Sequence, residues 1–214
     1  MQAKLQNRKI GERVIIAEFA VPAEFAFEAG EYTQVILGED KPLKHYFSIA
    51  SSPNEKGTVR IATRPSQSAF KTTLQSLPIG SEVVINGPWG DVLFPENNSE
   101  PLVFIAGGIG ITPFLSMMRF AAEEELAQKI LLLHFGDLDE FHDEVESAAK
   151  ANPNFTFKHV YEHISTEILK SNLPDSDRIF YVAGPPGFVN ETMNILATLK
   201  IPPARILSES YTGY

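Results

Sequence analysis

The chain has 214 residues, enough for two modest domains of about 100–150 residues each, and its 43% hydrophobic and 21% charged residues are globular proportions. A formal net charge of −9 argues against non-specific nucleic-acid binding, which needs a positive surface. With no cysteine in the sequence, disulfides, thiolate metal sites, iron–sulfur ligation and cysteine nucleophiles are excluded. No apolar run reaches the roughly 18 residues of a membrane-spanning helix. The N-terminus, MQAKLQNRKIGERV, is polar and lacks the apolar centre of a signal peptide. The expectation is a cytoplasmic protein with no membrane insertion.

Residues 1–97 read as β-rich. Segments 13–19, 32–37, 46–50, 59–63 and 83–86 are short and rich in β-branched and aromatic residues. Turn chemistry separates them at Pro22, Gly30, 38–40, 52–57 and 78–80. One helix interrupts at 68–77, with Ser68 as its N-cap and Pro78 as its stop. Short strands with a single helix predict a small antiparallel barrel. The stretch 95–101, PENNSEP, is polar and turn-prone, which places the domain boundary at Asn97.

From 98 to 214 the pattern alternates. Strands are predicted at 102–106, 130–135, 155–160 and 179–183, followed by helical segments at 112–127, 140–150, 166–169 and 188–199. Repeated strand-then-helix units imply an α/β domain with a parallel sheet covered on both faces. Such sheets bind ligands at the carboxyl ends of their strands. There the sequence places Gly107, Gly108 and Gly110, with Thr112-Pro113 opening a helix, and a second turn at Gly184-Pro185-Pro186-Gly187. Glycines after a buried strand let a pyrophosphate approach the backbone at a helix's positive end. Taken alone, GGxG is equally an ordinary βα loop.

Five stretches weigh together: His45–Pro53 (HYFSIASSP), Gly87-Pro88-Trp89-Gly90, AGGIGITPF, Tyr181–Phe188 (YVAGPPGF) and the ending Ser208–Tyr214 (SESYTGY). In this order, over nearly the whole chain, they resemble the ferredoxin–NAD(P)+ reductase superfamily. The resemblance implies a six-stranded Greek-key β-barrel holding FAD, rather than FMN, and a C-terminal nucleotide-binding domain taking NADH or NADPH.

Residue by residue, the family's Arg-x-Tyr-Ser/Thr flavin motif falls on His45, Tyr46, Phe47 and Ser48, with Ile49 next on the strand. His45 stands where the family has its pyrophosphate-binding arginine, and Phe47 stands for the tyrosine beside the isoalloxazine. Ser48 is retained, and by resemblance its hydroxyl bonds the flavin N5. The family's second flavin-phosphate segment falls on Ser68, Ala69, Phe70 and Thr72 without its usual glycine. Arg64 is the first choice of replacement cation and Lys71 the second.

The coenzyme would lie across Gly107–Pro113 and Ala183–Pro186, Ala183 holding the place of the family's cysteine or small residue. Asp137 just past the second strand would repel a 2′-phosphate and accept a ribose diol, which favours NADH. The ending Glu209-Ser210-Tyr211 matches the family's Glu-x-Tyr. Tyr211 is the first choice for the ring covering the flavin and Tyr214 the second, with Glu209 a candidate for proton relay.

The implied activity is hydride transfer from NAD(P)H to FAD. Electrons then pass to a protein carrier such as ferredoxin or flavodoxin. Alternatives are a diffusible acceptor (free flavin, quinone or ferric chelate) and a non-catalytic nucleotide-binding electron-transfer subunit. No metal site is expected, since His134, His142, His159 and His163 lack ligand spacing.

Overall fold

Alternating burial builds the first sheet of the computed structural model, which describes residues 1–95, 100–137, 139–173 and 177–211. The predicted boundary residue Asn97 and the second-choice ring Tyr214 lie outside the described residues. Strands β1 (Gln2–Ile10), β2 (Ile15–Ala20), β3 (Tyr32–Leu37), β4 (Leu43–Ser48), β5 (Thr58–Thr63) and β6 (Glu82–Trp89) run in the order β4-β3-β6-β1-β2-β5. All their pairings are antiparallel. Non-sequential neighbours make this a Greek key rather than a meander. The sheet rolls up where Ala50 N–H, just past β4, donates to the Arg60 carbonyl of β5 at 2.8 Å. In β3, Thr33, Val35 and Leu37 point inward at period two.

Helix α1 (Ala69–Ser76) closes one end of the barrel. The Ser68 hydroxyl accepts from Lys71 N–H, as an N-cap should. Phe70 and Leu74 join the barrel core. Strand β1 is a departure from the sequence reading, which placed no strand in the polar N-terminus. Only Ala3 and Leu5 of this strand are buried; the ladders to β2 and β6 hold it. Arg8 also donates to the Leu74 carbonyl at 2.9 Å, and to that of Leu77, at the C-terminal end of α1.

The second sheet contains β7 (Leu102–Gly107), β8 (Ile130–Phe135), β9 (Phe155–Val160), β10 (Ile179–Gly184) and β11 (Ile206–Ser210), all parallel, in the order β11-β10-β7-β8-β9. Central β7 is buried at every position, as a doubly covered parallel strand requires. Helices α2 (Thr112–Glu123) and α3 (His142–Ala151) belong to the core on one face, and α4 (Thr166–Asn172) and α5 (Pro186–Thr198) to that on the other. Strand β11 extends the sheet by one strand beyond those predicted. Because the chain goes from β7 outward to β9 and then returns to β10, the direction of winding reverses between β7 and β10. Ligands bind at such a switch point. Among the described residues no helix is long and apolar enough to cross a membrane.

The two sheets share a core. Val14, Ile16, Ala29, Ala50 and Ala62 of the barrel lie in one buried cluster with Phe104, Phe114 and Met117 of the second sheet's layer. Phe104 stacks on Phe114 at 4.6 Å and meets Tyr181 edge-on at 5.5 Å. The Tyr181 hydroxyl donates to the Leu93 carbonyl at 2.9 Å, tying β10 to the segment that leaves the barrel.

A polar clamp flanks this seam. Arg60, buried on β5, reaches the Glu144 carboxylate on α3 with two bonds of 2.8 and 2.7 Å. Arg119 pairs with Glu144 at 3.4 Å and with Glu55. Replacing Arg60 with methionine leaves Glu144 half-deprived in a partly dry site. The expected cost is about 2–3 kcal/mol in urea denaturation. A loss of about 0.5 kcal/mol or less, the worth of an exposed pair, would show the clamp is ornamental.

Candidate active site

Strand β4 and the C-terminal ends of β7, β10 and β11 face one another across a cleft of about 770 Å³. That size is typical of a ligand pocket. Parallel pairing with β10 sets Glu209 beside Ala183 and Ser210 beside Gly184. Tyr211 N–H then donates to the Gly184 carbonyl at 2.9 Å, which aims its ring at the barrel. Ser48 ends β4 on the other wall. Its hydroxyl donates to the Tyr211 phenol oxygen at 2.8 Å, and that phenol donates to Glu209 Oε2 at 2.7 Å. The chain Ser48–Tyr211–Glu209 therefore joins barrel and sheet through hydrogen bonds.

Burial pushes the Tyr211 phenol well above its ordinary pKa, and the adjacent Glu209 carboxylate adds to the effect. Burial also raises Glu209, opposed by the bond from Tyr211. His45 is shifted the other way: desolvation first, and the nearby Lys71 charge second, favour its neutral ring. That ring lies edge-on to Phe47 at 4.7 Å and tilted against Phe70 at 5.6 Å. Desolvation lowers Lys71 as well. Lys71 lines the cleft at only 4% exposure, and its ammonium makes no hydrogen bond or ion pair among the described residues.

Of the residues singled out in the sequence, His45, Tyr46, Phe47, Ser48 and Arg64 line the cleft from the barrel side. Thr112, Pro185, Pro186, Glu209 and Tyr211 line it from the other. Ile49 and Phe70 instead point into the barrel core. Ala69 and Thr72 are exposed on α1, and Ser68 is its cap. Pro113 is buried in the first turn of α2, and Ala183 is buried in β10.

The glycines shape the turn itself. A Cβ on Gly110 would strike the Ala183 carbonyl and come 2.6 Å from Gly184 Cα, so only glycine lets the two turns touch. Gly108 holds φ +53°, and a Cβ there would lie 2.8 Å from Arg64 Nη2. Gly107 backs onto the Phe188 ring. Asp137 stands outside the cleft lining, paired with Arg13 at 2.6 Å and Arg64 at 3.4 Å. Thr63 and Ser66, which also line the cleft, were not singled out. Their signal was position, flanking Arg64 where an apolar strand ends.

Can these residues hold a flavin dinucleotide? The cleft offers flat apolar surface at Phe47, Ala62, Ile109 and the prolines, hydroxyls at Ser48 and Thr112, and the Lys71 ammonium, which has no counter-anion among the described residues. An aromatic ring system with an anionic tail fits that donor set.

The fold, barrel first and parallel sheet second, is that of solved FAD/NAD-binding domains and ferredoxin NADP+ reductases. Residues 104–194 match the family described as the oxidoreductase NAD-binding domain. A flavohemoprotein of Bacillus subtilis (strain 168) is 26% identical over 206 residues, covering 86% of this chain and 51% of its own. The chain spans about half the length of the curated relatives it matches. The flavohem-like FAD/NAD-binding domain of nitric oxide dioxygenase from Vibrio cholerae O1 biovar El Tor aligns with a TM-score of 0.86 at 19% identity, covering 98% of each chain. A ferredoxin NADP+ reductase from Neisseria gonorrhoeae, solved with FAD and NADP, gives 0.82 at 20% identity over 100% of this chain and 98% of its own.

Glu209 yields a prediction with a definite sign. Its folded pKa lies above the ordinary 4.5, so the folded chain holds this proton more tightly than the unfolded one. Stability therefore falls as pH rises from 4.5 towards the folded value. Glu209→Gln removes that fall, so the two thermal-midpoint curves should converge at acid pH and separate above it. Parallel curves across the window would refute the burial of this charge.

Proposed function

We propose that this chain binds FAD on the barrel and NAD(P)H on the parallel sheet and acts as a flavin-dependent reductase. The observation that carries the reading is the Ser48–Tyr211–Glu209 chain, which draws one wall from each domain into a single cleft. The match of 104–194 to an NAD-binding oxidoreductase domain supports the coenzyme half. The FAD/NAD-binding domain of matching shape supports the flavin half. Bound flavin would supply the chemistry, accepting hydride from the coenzyme and releasing electrons to an acceptor.

The chain's own residues position and insulate. The Ser48 hydroxyl presents one donor at the cleft floor, and Phe47 gives a flat apolar wall beside it. Tyr211 covers the opening and can trade its bond to Ser48 for a bound ring, while Glu209 stays within reach of its phenol proton. Gly108, Gly110 and Pro185-Pro186 bring the backbone close to where a coenzyme would cross the switch point. Because Asp137 is matched by Arg13 and Arg64, its charge no longer argues for NADH, and the proposed donor is NADH or NADPH. The proposed acceptor is a protein carrier such as ferredoxin or flavodoxin, with small diffusible acceptors as the other arm of the test.

Purified chain loaded with FAD and mixed anaerobically with NADH or NADPH should lose its flavin absorbance. Ser48→Ala should slow that loss about ten- to hundredfold, the worth of one bond to a developing charge. FAD that binds but is reduced by neither coenzyme would contradict the proposal.

A further inference from the structure

We infer that Lys71 supplies the positive charge for the phosphate end of the bound flavin, replacing the strand arginine whose place His45 occupies. The inference rests on the flavin reading above and deepens it. A lysine only 4% exposed as a residue, with no hydrogen bond or ion pair among the described residues, is unusual. Drawing an unpaired charge even partly out of water is unfavourable. A lysine of purely structural use would pass its ammonium out to solvent along its stem. Here the side chain lines the cleft and its ammonium has no partner among the described residues. An anion entering the cleft would supply one.

The surroundings say what kind of anion. Lys71 belongs to the first turn of an eight-residue helix, three residues past the Ser68 cap. The positive end of that dipole and the ammonium act on the same region. Ser66 lines the same part of the wall and adds a hydroxyl. Ammonium, helix end and hydroxyl together form a phosphate site.

The rival cations are unsuited. His45 is held towards its neutral form and packed against two phenyl rings. Arg64 is exposed and already faces Asp137 at 3.4 Å. The charge that the family keeps on the strand has moved across the cleft to the helix.

The test is a binding titration of the flavin-free chain, read by flavin fluorescence, with FAD and with riboflavin, which has no phosphate. The wild-type chain should prefer FAD. Lys71→Met and Lys71→Gln should each weaken FAD by about ten- to hundredfold, the worth of a charge-assisted bond, with riboflavin unchanged. Lys71→Arg should restore most of the loss. The ligand-free thermal midpoint of Lys71→Met should match or exceed that of wild type, since a partly desolvated charge without a partner has gone. Unchanged FAD affinity in both neutral variants would overturn the inference, as would equal losses for FAD and riboflavin, which would mark Lys71 as packing. A wild-type chain that binds neither flavin would overturn the flavin reading itself, a result distinct from either of these.

Discussion

The apolar seam between the sheets is the constraint on which everything else hangs. Barrel residues Val14, Ile16, Ala29, Ala50 and Ala62 are buried in the same cluster as the stacked Phe104 and Phe114. These barrel residues are mostly small, so the barrel wall can sit close against α2 and the central strand. That closeness lets a bond as short as 2.8 Å run from Ser48 on one domain to Tyr211 on the other. Loosen the seam by an ångström and the cleft keeps its residues but loses their alignment, which is costly for chemistry that depends on reach.

Around that seam, polar groups are arranged in opposite senses on its two sides. Behind it, Arg60, Arg119, Glu55 and Glu144 neutralise one another and pin α3 to β5. In front, the Lys71 ammonium has no partner among the described residues, and two acids, Tyr211 and Glu209, are both pushed towards their protonated forms. Arg64 sits between the two sides, lining the cleft while pairing with Asp137.

Much of this was legible in the sequence, for physical reasons that also explain the rest. The run Leu102–Gly107 is apolar because both faces of β7 are covered, so its strand–turn–helix continuation could be read directly. β1 escaped because its hold on the sheet is through backbone ladders, with only Ala3 and Leu5 buried. β11 escaped because ILSES carries no clear apolar alternation and depends on its parallel neighbour. Ser48, Glu209 and Tyr211 were singled out by the family resemblance of their motifs, and the fold brings the three into one hydrogen-bonded chain. Asp137 carried a sound local argument, yet two arginines distant in sequence changed its electrostatics. Lys71 ranked second to Arg64, and its low exposure is a property of the fold that composition does not carry.

The central claim is that one cleft brings two ring systems into contact, and the oxidised pair tests it without turnover. A crystal structure of the chain with FAD and NAD+ should show the isoalloxazine against Phe47 and Ser48. It should also show the nicotinamide near Pro185, with the rings about 3.5 Å apart, the separation needed for transfer. Both ligands bound with their rings on different faces of the molecule, or separated by protein, would contradict the account.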